Sequence, residues 1–300
     1  MTALHRPILL PILFLLLGGA LSPAAEPVPL AARLAEYADL FAQKAPSVVT
    51  QETLVQRCYR VPAHPRVVIG RAPEPLPAQY VLHEVVSQYG VGSLKGDPSG
   101  NLLEFRELVS LDGAAVQTPE SARRSLAADV KNGEDKIRKK ILTEFTKLGL
   151  LDVATDYGLM LLAFTTRGQK ALEFEPAGAA WVGTEEATLL NWRQTSGGAL
   201  EFRGRKAERR AMHGSVWLRN SDGAPLRIFA SFEHEEPQHT LRDDAYVDLV
   251  RSSFGCQTPA AVVHRHYVDD VLLTENLYTY QPFRSFGSET NIIYTDVKDR

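Results

Sequence analysis

Three hundred residues carry 33 Lys and Arg against 36 Asp and Glu, a formal charge of −3, with 44% hydrophobic and 23% charged content. This ordinary globular composition excludes a disordered chain, a collagen-like fibre and a strongly basic nucleic-acid binder. The chain is long enough to bury a full core, as one large domain or two of typical size.

The N-terminus has the three parts of a secretory signal peptide: Arg6 in a short basic head, an apolar run from Ile8 to Leu17, then small residues. Pro11 interrupts the run, and Gly18 and Gly19 end it well short of the roughly 20 residues a membrane span needs. Cleavage is expected after Ala24, which makes residues 1–24 a signal peptide and 25–300 the mature chain. A periplasmic or secreted protein follows, in a compartment that permits disulfides. Cys58 and Cys256 are then either bonded or two separate buried thiols.

Pro29 followed by Leu30, Leu34, Tyr37 and Phe41 predicts an opening amphipathic helix that stops at Pro46. Val48 to Tyr59 reads as a strand. The stretch 61–77 holds five prolines and reads as an irregular insertion. Tyr80–Tyr89 and Leu102–Leu111 form a predicted strand pair around a loop from Gly90 to Gly100. In the second strand Leu103, Phe105, Val109 and Leu111 fall on one face, with Glu104, Arg106 and Ser110 on the other. Thr118-Pro119-Glu120 is a helix start with Thr118 as N-cap, Asn132-Gly133 interrupts that helix, and Gly149 caps its continuation.

Beyond the apolar segment Leu159–Phe164 the chain reads as a meander: Ala171–Glu175, Ala187–Arg193, Met212–Arg219, Leu226–Glu233, Ala245–Ser253, Ala261–Asp269 and Leu277–Phe283. Helices confined to the start and middle imply an antiparallel α+β domain, because parallel strands would need crossover helices. With Asn220-Ser221-Asp222-Gly223 as a hairpin loop, Arg219 pairs with Ala224 and Trp217 falls opposite Leu226. Trp217, Leu226, Ile228 and Phe232 then share a face, as core or as the wall of an apolar cavity.

Few constellations support chemistry. His264 and His266 alternate onto one face of a strand, but spacing supplies no third ligand, so solvent-facing histidines are expected and no metal or cofactor. Gly90-Val91-Gly92 with Gly96 fits neither a phosphate-binding loop nor a dinucleotide fingerprint and reads as a turn. No nucleophile elbow is present. The basic runs Lys131–Lys140 and Arg203–Arg210 read as solvated surface or as contacts to anionic headgroups.

The run Gly214-x-x-Trp217-Leu218, then Asp222-Gly223-x-Pro225-Leu226-Arg227, Phe254-Gly255-x-x-x-Pro259 and Tyr278-x-Tyr280-x-x-Phe283-x-x-Phe286 resembles uncharacterised secreted bacterial proteins. Phe105-Arg106-x-Leu108 with Asp112-Gly113 resembles the same group. These in turn are similar to the periplasmic lipoprotein-localisation carriers. The resemblance implies a strongly curved antiparallel sheet, a half-open barrel covered by helices, and a cavity for acyl chains. It departs in the Pro-rich insertion, the basic middle helix and the two cysteines. The implied function is a non-enzymatic exported protein that binds an acyl chain, lipid or lipoprotein through Trp217, Leu226, Ile228 and Phe232. The alternative is an envelope interaction or sensor protein on the same fold, contacting a membrane surface or an envelope protein and no nucleic acid.

Overall fold

The computed structural model describes residues 29–60, 79–93, 101–133, 143–153, 156–196, 202–203, 207–208 and 211–286. The expected signal peptide and Pro-rich stretch lie outside the described residues, as does most of each basic run. Helix α1 (Leu30–Lys44) starts directly after Pro29 and buries Leu34, Ala38 and Phe41 at the three- and four-residue spacing of one helical face. Pro46, in a 3-10 turn over Ala45–Ser47, turns the chain into strand β1 (Val48–Arg60).

Strands β2 (Gln79–Ser93), β3 (Leu102–Leu111) and the short β4 (Ala114–Ala115) follow. Helix α2 (Pro119–Asn132) is capped by the Thr118 hydroxyl, which accepts the Ser121 amide at 3.2 Å, and ends at Gly133 with φ of 57°. The apolar segment forms a 3-10 helix over Tyr157–Phe164. Next come β5 (Leu172–Val182), β6 (Glu185–Gln194), the two-residue strands β7 (Phe202–Arg203) and β8 (Ala207–Glu208), β9 (His213–Arg219) and β10 (Pro225–Glu235). The last are β11 (Thr240–Arg251), β12 (Gln257–Val268), β13 (Val271–Tyr280) and β14 (Arg284–Ser285). Among the described residues, no helix is long and apolar enough to cross a membrane.

Among the described residues, twelve strands form one open sheet in the order β4-β3-β2-β1-β13-β12-β11-β10-β9-β6-β5, with β14 against β1. All its pairings are antiparallel, as the absence of crossover helices in the meander predicts. Register aligns one apolar row across eight strands: Val85, Leu54, Tyr278, Val262, Val247, Ile228, Val216 and Leu190. Every member is buried, in one cluster with Leu34, Ala38 and Phe41 of α1 and Leu159–Leu161 of the 3-10 segment. Helix α2 lies over the other face, where Leu126 packs with Val49 and Phe105.

Three details differ from the sequence reading. Gly90 and Gly92 belong to β2 rather than to a turn, and they make room for α2. A Cβ on Gly92 would stand 2.9 Å from Val130 Cγ1, so only glycine admits the helix at this distance. A register shift at Val86/Ser87 moves Leu111 onto the face opposite Phe105. The third difference, a register shift at Pro225/Arg227, changes the candidate site itself.

Candidate functional site

The loop at Asn220–Gly223 is as expected: the Arg219 amide donates to the Ala224 carbonyl at 2.9 Å. Pro225, however, has no N–H to give to the ladder, and the strand bulges there. Trp217 consequently pairs with Arg227, not Leu226. It is half-buried on the face opposite Ile228, while its neighbours Val216 and Leu218 point into the core. Leu226, Ile228 and Phe232 are buried, and Ile228 and Phe232 sit in the main cluster at 0% and 2% exposure.

On the face that carries Ile228 and Phe232, the 3-10 segment Tyr157–Phe164 covers β3, β11 and β12 and packs against α1, and seven of its eight residues are buried. The segment is tied to α1 by Asp39, whose carboxylate accepts the Thr166 hydroxyl at 2.6 Å and the Thr166 amide at 3.2 Å. Gln169 adds a bond to the Ala31 carbonyl at 2.6 Å.

The same face of the sheet carries a buried ion cluster that sequence reasoning missed. Arg106 of β3 donates Nε and an Nη to the two oxygens of Glu52, at 2.7 and 2.8 Å, and the same Nη lies 2.7 Å from Glu104 Oε2. Tyr89 donates its hydroxyl to Glu104 at 3.1 Å. Burial pushes the Glu52 carboxyl up, against the pull of Arg106. Burial also opposes charge on Arg106, but Glu104 and Glu52 outweigh it and hold the guanidinium firmly protonated. Glu104 then reaches the cover, accepting the Asp156 amide at 2.7 Å and giving its own amide to Asp156 Oδ1 at 3.1 Å. Gly158 passes directly over the cluster, where a Cβ would meet Glu104 Oε1 at 2.6 Å.

His264 and His266 do not face solvent on an edge strand. Strand β12 is internal, His264 is buried, and both rings reach Asp243 Oδ1 of β11, His264 Nε2 at 2.8 Å and His266 Nδ1 at 3.0 Å. Burial would raise Asp243, yet these two hydrogen bonds hold it down at about 2. The Tyr157 ring stacks on His264 with centroids 5.1 Å apart. Among the described residues no group of three or more His, Cys, Asp or Glu has the arrangement of a metal site.

From His264 the polar contacts continue through Asn276 to Gln56. Asn276 Nδ2 lies 3.1 Å from His264 Nδ1, and Gln56 donates to Asn276 Oδ1 at 2.6 Å. Gln56 also holds both backbone groups of Leu151, and Asn276 holds the Asp152 carbonyl. The partners are up to 220 residues apart in sequence, so no local spacing signals them.

Cys58 and Cys256 are not bonded; both are free and buried. Cys58 pairs in register with Thr274, and Thr274 with His266, ten residues along β12 from Cys256. At about 3.3 Å per residue that separates them by roughly 30 Å along the strand, far beyond the ~7 Å limit for a bridge. The Cys58 thiol donates to Gln56 Oε1 at 2.9 Å, and burial raises it out of the reactive range.

No family model and no curated protein matches the chain. Among solved structures it is similar to a DUF1329 family protein from Desulfovibrio piger, at 8% identity over 86% of this chain and 93% of that one, with a TM-score of 0.35. It is also similar to a putative outer membrane lipoprotein-sorting protein domain from Vibrio parahaemolyticus, at 9% identity over 89% and 96%, with a TM-score of 0.33. Both descriptions are of the kinds the sequence resemblance names. At these identities and scores they assign no function to this chain.

Proposed function

We propose that this chain is an exported binding protein that accepts an acyl chain or similar amphiphile against the buried apolar row of its sheet. In this reading residues 1–24 are removed, residues 25–300 form one domain, and the sheet curves into a half-open barrel under α1 and the 3-10 segment. Leu226, Ile228 and Phe232 lie on the binding face. Trp217, on the opposite face, has no part in it.

The observation that carries the proposal is the cover. A 3-10 run of eight residues is long for this geometry, which rarely exceeds four. Apart from Tyr157 its buried side chains are apolar, and its flanks are tied down by side-chain hydrogen bonds, not by strand pairing. In the closed form Leu159, Met160, Leu161 and Phe164 occupy the place a ligand would take. An acyl chain replaces like with like: roughly twelve methylenes at about 0.8 kcal/mol each supply ~10 kcal/mol towards displacing the segment.

Protein stripped of copurified lipid should bind a fluorescent fatty acid, and the amides of 157–164 should lose hydrogen-exchange protection on binding while those of β9 and β10 keep theirs. Stripped protein that binds no acyl probe rejects the carrier reading.

A further inference from the structure

The bonds that hold Leu151 and Asp152 on the sheet fix which ring nitrogen of His264 accepts a hydrogen bond. The Asp152 carbonyl can only accept, so the atom 2.8 Å from it is Asn276 Nδ2, and the Asn276 amide has one orientation. The Leu151 amide, 2.9 Å from Gln56 Oε1, and the Leu151 carbonyl, 2.7 Å from Gln56 Nε2, likewise fix Gln56. Asn276 Nδ2 therefore presents an N–H to His264 Nδ1, which must accept, and His264 Nε2 carries the ring proton towards Asp243. These are the bonds of a neutral imidazole.

A second ring proton, on Nδ1, would point at the Asn276 N–H. Turning the Asn276 amide over relieves that clash but sets its oxygen against the Asp152 carbonyl and its NH2 against Gln56 Nε2. Turning Gln56 in response breaks both bonds to Leu151. Asn276 and Gln56 are fully buried, so no solvent replaces the lost partners.

The charged and titratable groups around the ring are Asp243 from β11, His266 from its own strand and Tyr157 from the 3-10 segment, with Tyr278 of β13 beside Tyr157 and Asp152 of the strap Leu150–Val153 taking the Thr274 hydroxyl at 3.3 Å. Asp243 favours the imidazolium. Proton uptake thus keeps the bond to the sheet and breaks the bonds to the strap.

We propose that His264 is a proton sensor whose protonation releases the Leu150–Val153 strap from the sheet and so loosens the cover of the apolar row. This deepens the carrier reading, since the strap matters to a ligand only if the cover is a gate.

The test is hydrogen exchange of the ligand-free protein between about pH 8 and pH 5, corrected for the intrinsic exchange rate. The wild-type opening constant for the Leu151 amide should rise by up to about tenfold per pH unit, the slope of one coupled proton, with β9 and β10 amides unchanged. His264→Asn keeps an acceptor at the Nδ1 position without a titrating group and should abolish the rise. Nitrogen-15 correlation of the wild-type ring at the alkaline end should show a proton on Nε2 only, a readout that survives if the variant fails to fold. A flat wild-type profile, an unchanged slope in His264→Asn, or a ring proton on Nδ1 overturns the proposal. Acyl-probe binding measured alongside separates the two readings: a strap that opens with acid in a protein that binds no probe retires the carrier and leaves the sensor.

Discussion

Arg106 is the residue on which most of the buried charge depends. It serves two carboxylates at once, and Glu52 and Glu104 are each 3% exposed or less. Replacing it with Met preserves much of the volume but leaves two acids facing each other without a cation. Loss of one partner from a buried ion cluster typically costs about 3–5 kcal/mol, because the remaining charges stay desolvated. Urea unfolding of Arg106→Met should show a loss of that size, and a loss under ~1 kcal/mol would mean the cluster is hydrated. The sequence shows the alternation of β3 correctly as far as the bulge beyond Leu108, with Glu104 and Arg106 opposite Phe105. It does not show that the polar face is buried as well, because Glu52 lies 54 residues before Arg106 and Asp156 lies 52 residues after Glu104.

At the scale of elements, the legible parts are those with local causes. Pro29 and Pro46 bracket α1, Thr118 and Gly133 bracket α2, and the loop Asn220–Gly223 sets its hairpin. Register is less legible, since a bulge inverts the alternation beyond it. Three of the five register shifts adjoin a strand proline, Pro176, Pro225 or Pro259, so a signal was present in the residues themselves. The shift at Pro225 moves Trp217 to the far face and leaves Ile228 in the middle of the apolar row. Ile228→Trp therefore overpacks a filled core in the closed form, and thermal or urea unfolding should show a loss of about 1–3 kcal/mol. A variant as stable as wild type would mean that the space beside Ile228 is open and that the cover does not fill it.

At the scale of the whole molecule the two cysteines report on opposite ends of the sheet. Denaturing alkylation without reductant should find two free thiols. Native labelling should then separate them. Cys58 lies beneath the strap, bonded to the Gln56 oxygen that also holds the Leu151 amide, so any motion that frees Leu151 uncovers its sulfur. Cys256, 1% exposed in the turn between β11 and β12, lies away from the strap beside Ser252. Local opening has a lower free energy than global unfolding, and only the segment that opens becomes reactive. Cys58 should therefore react with a soluble disulfide reagent faster than Cys256 in native protein, and Cys58→Ser should remove the faster phase alone. Acid release of the strap makes a further demand: at matched thiolate concentration the fast phase should accelerate as pH falls, and His264→Asn should flatten it. Equal rates for both thiols, each tracking global unfolding, would mean that the cover and the sheet open only together, and a ligand could then enter only by unfolding the domain.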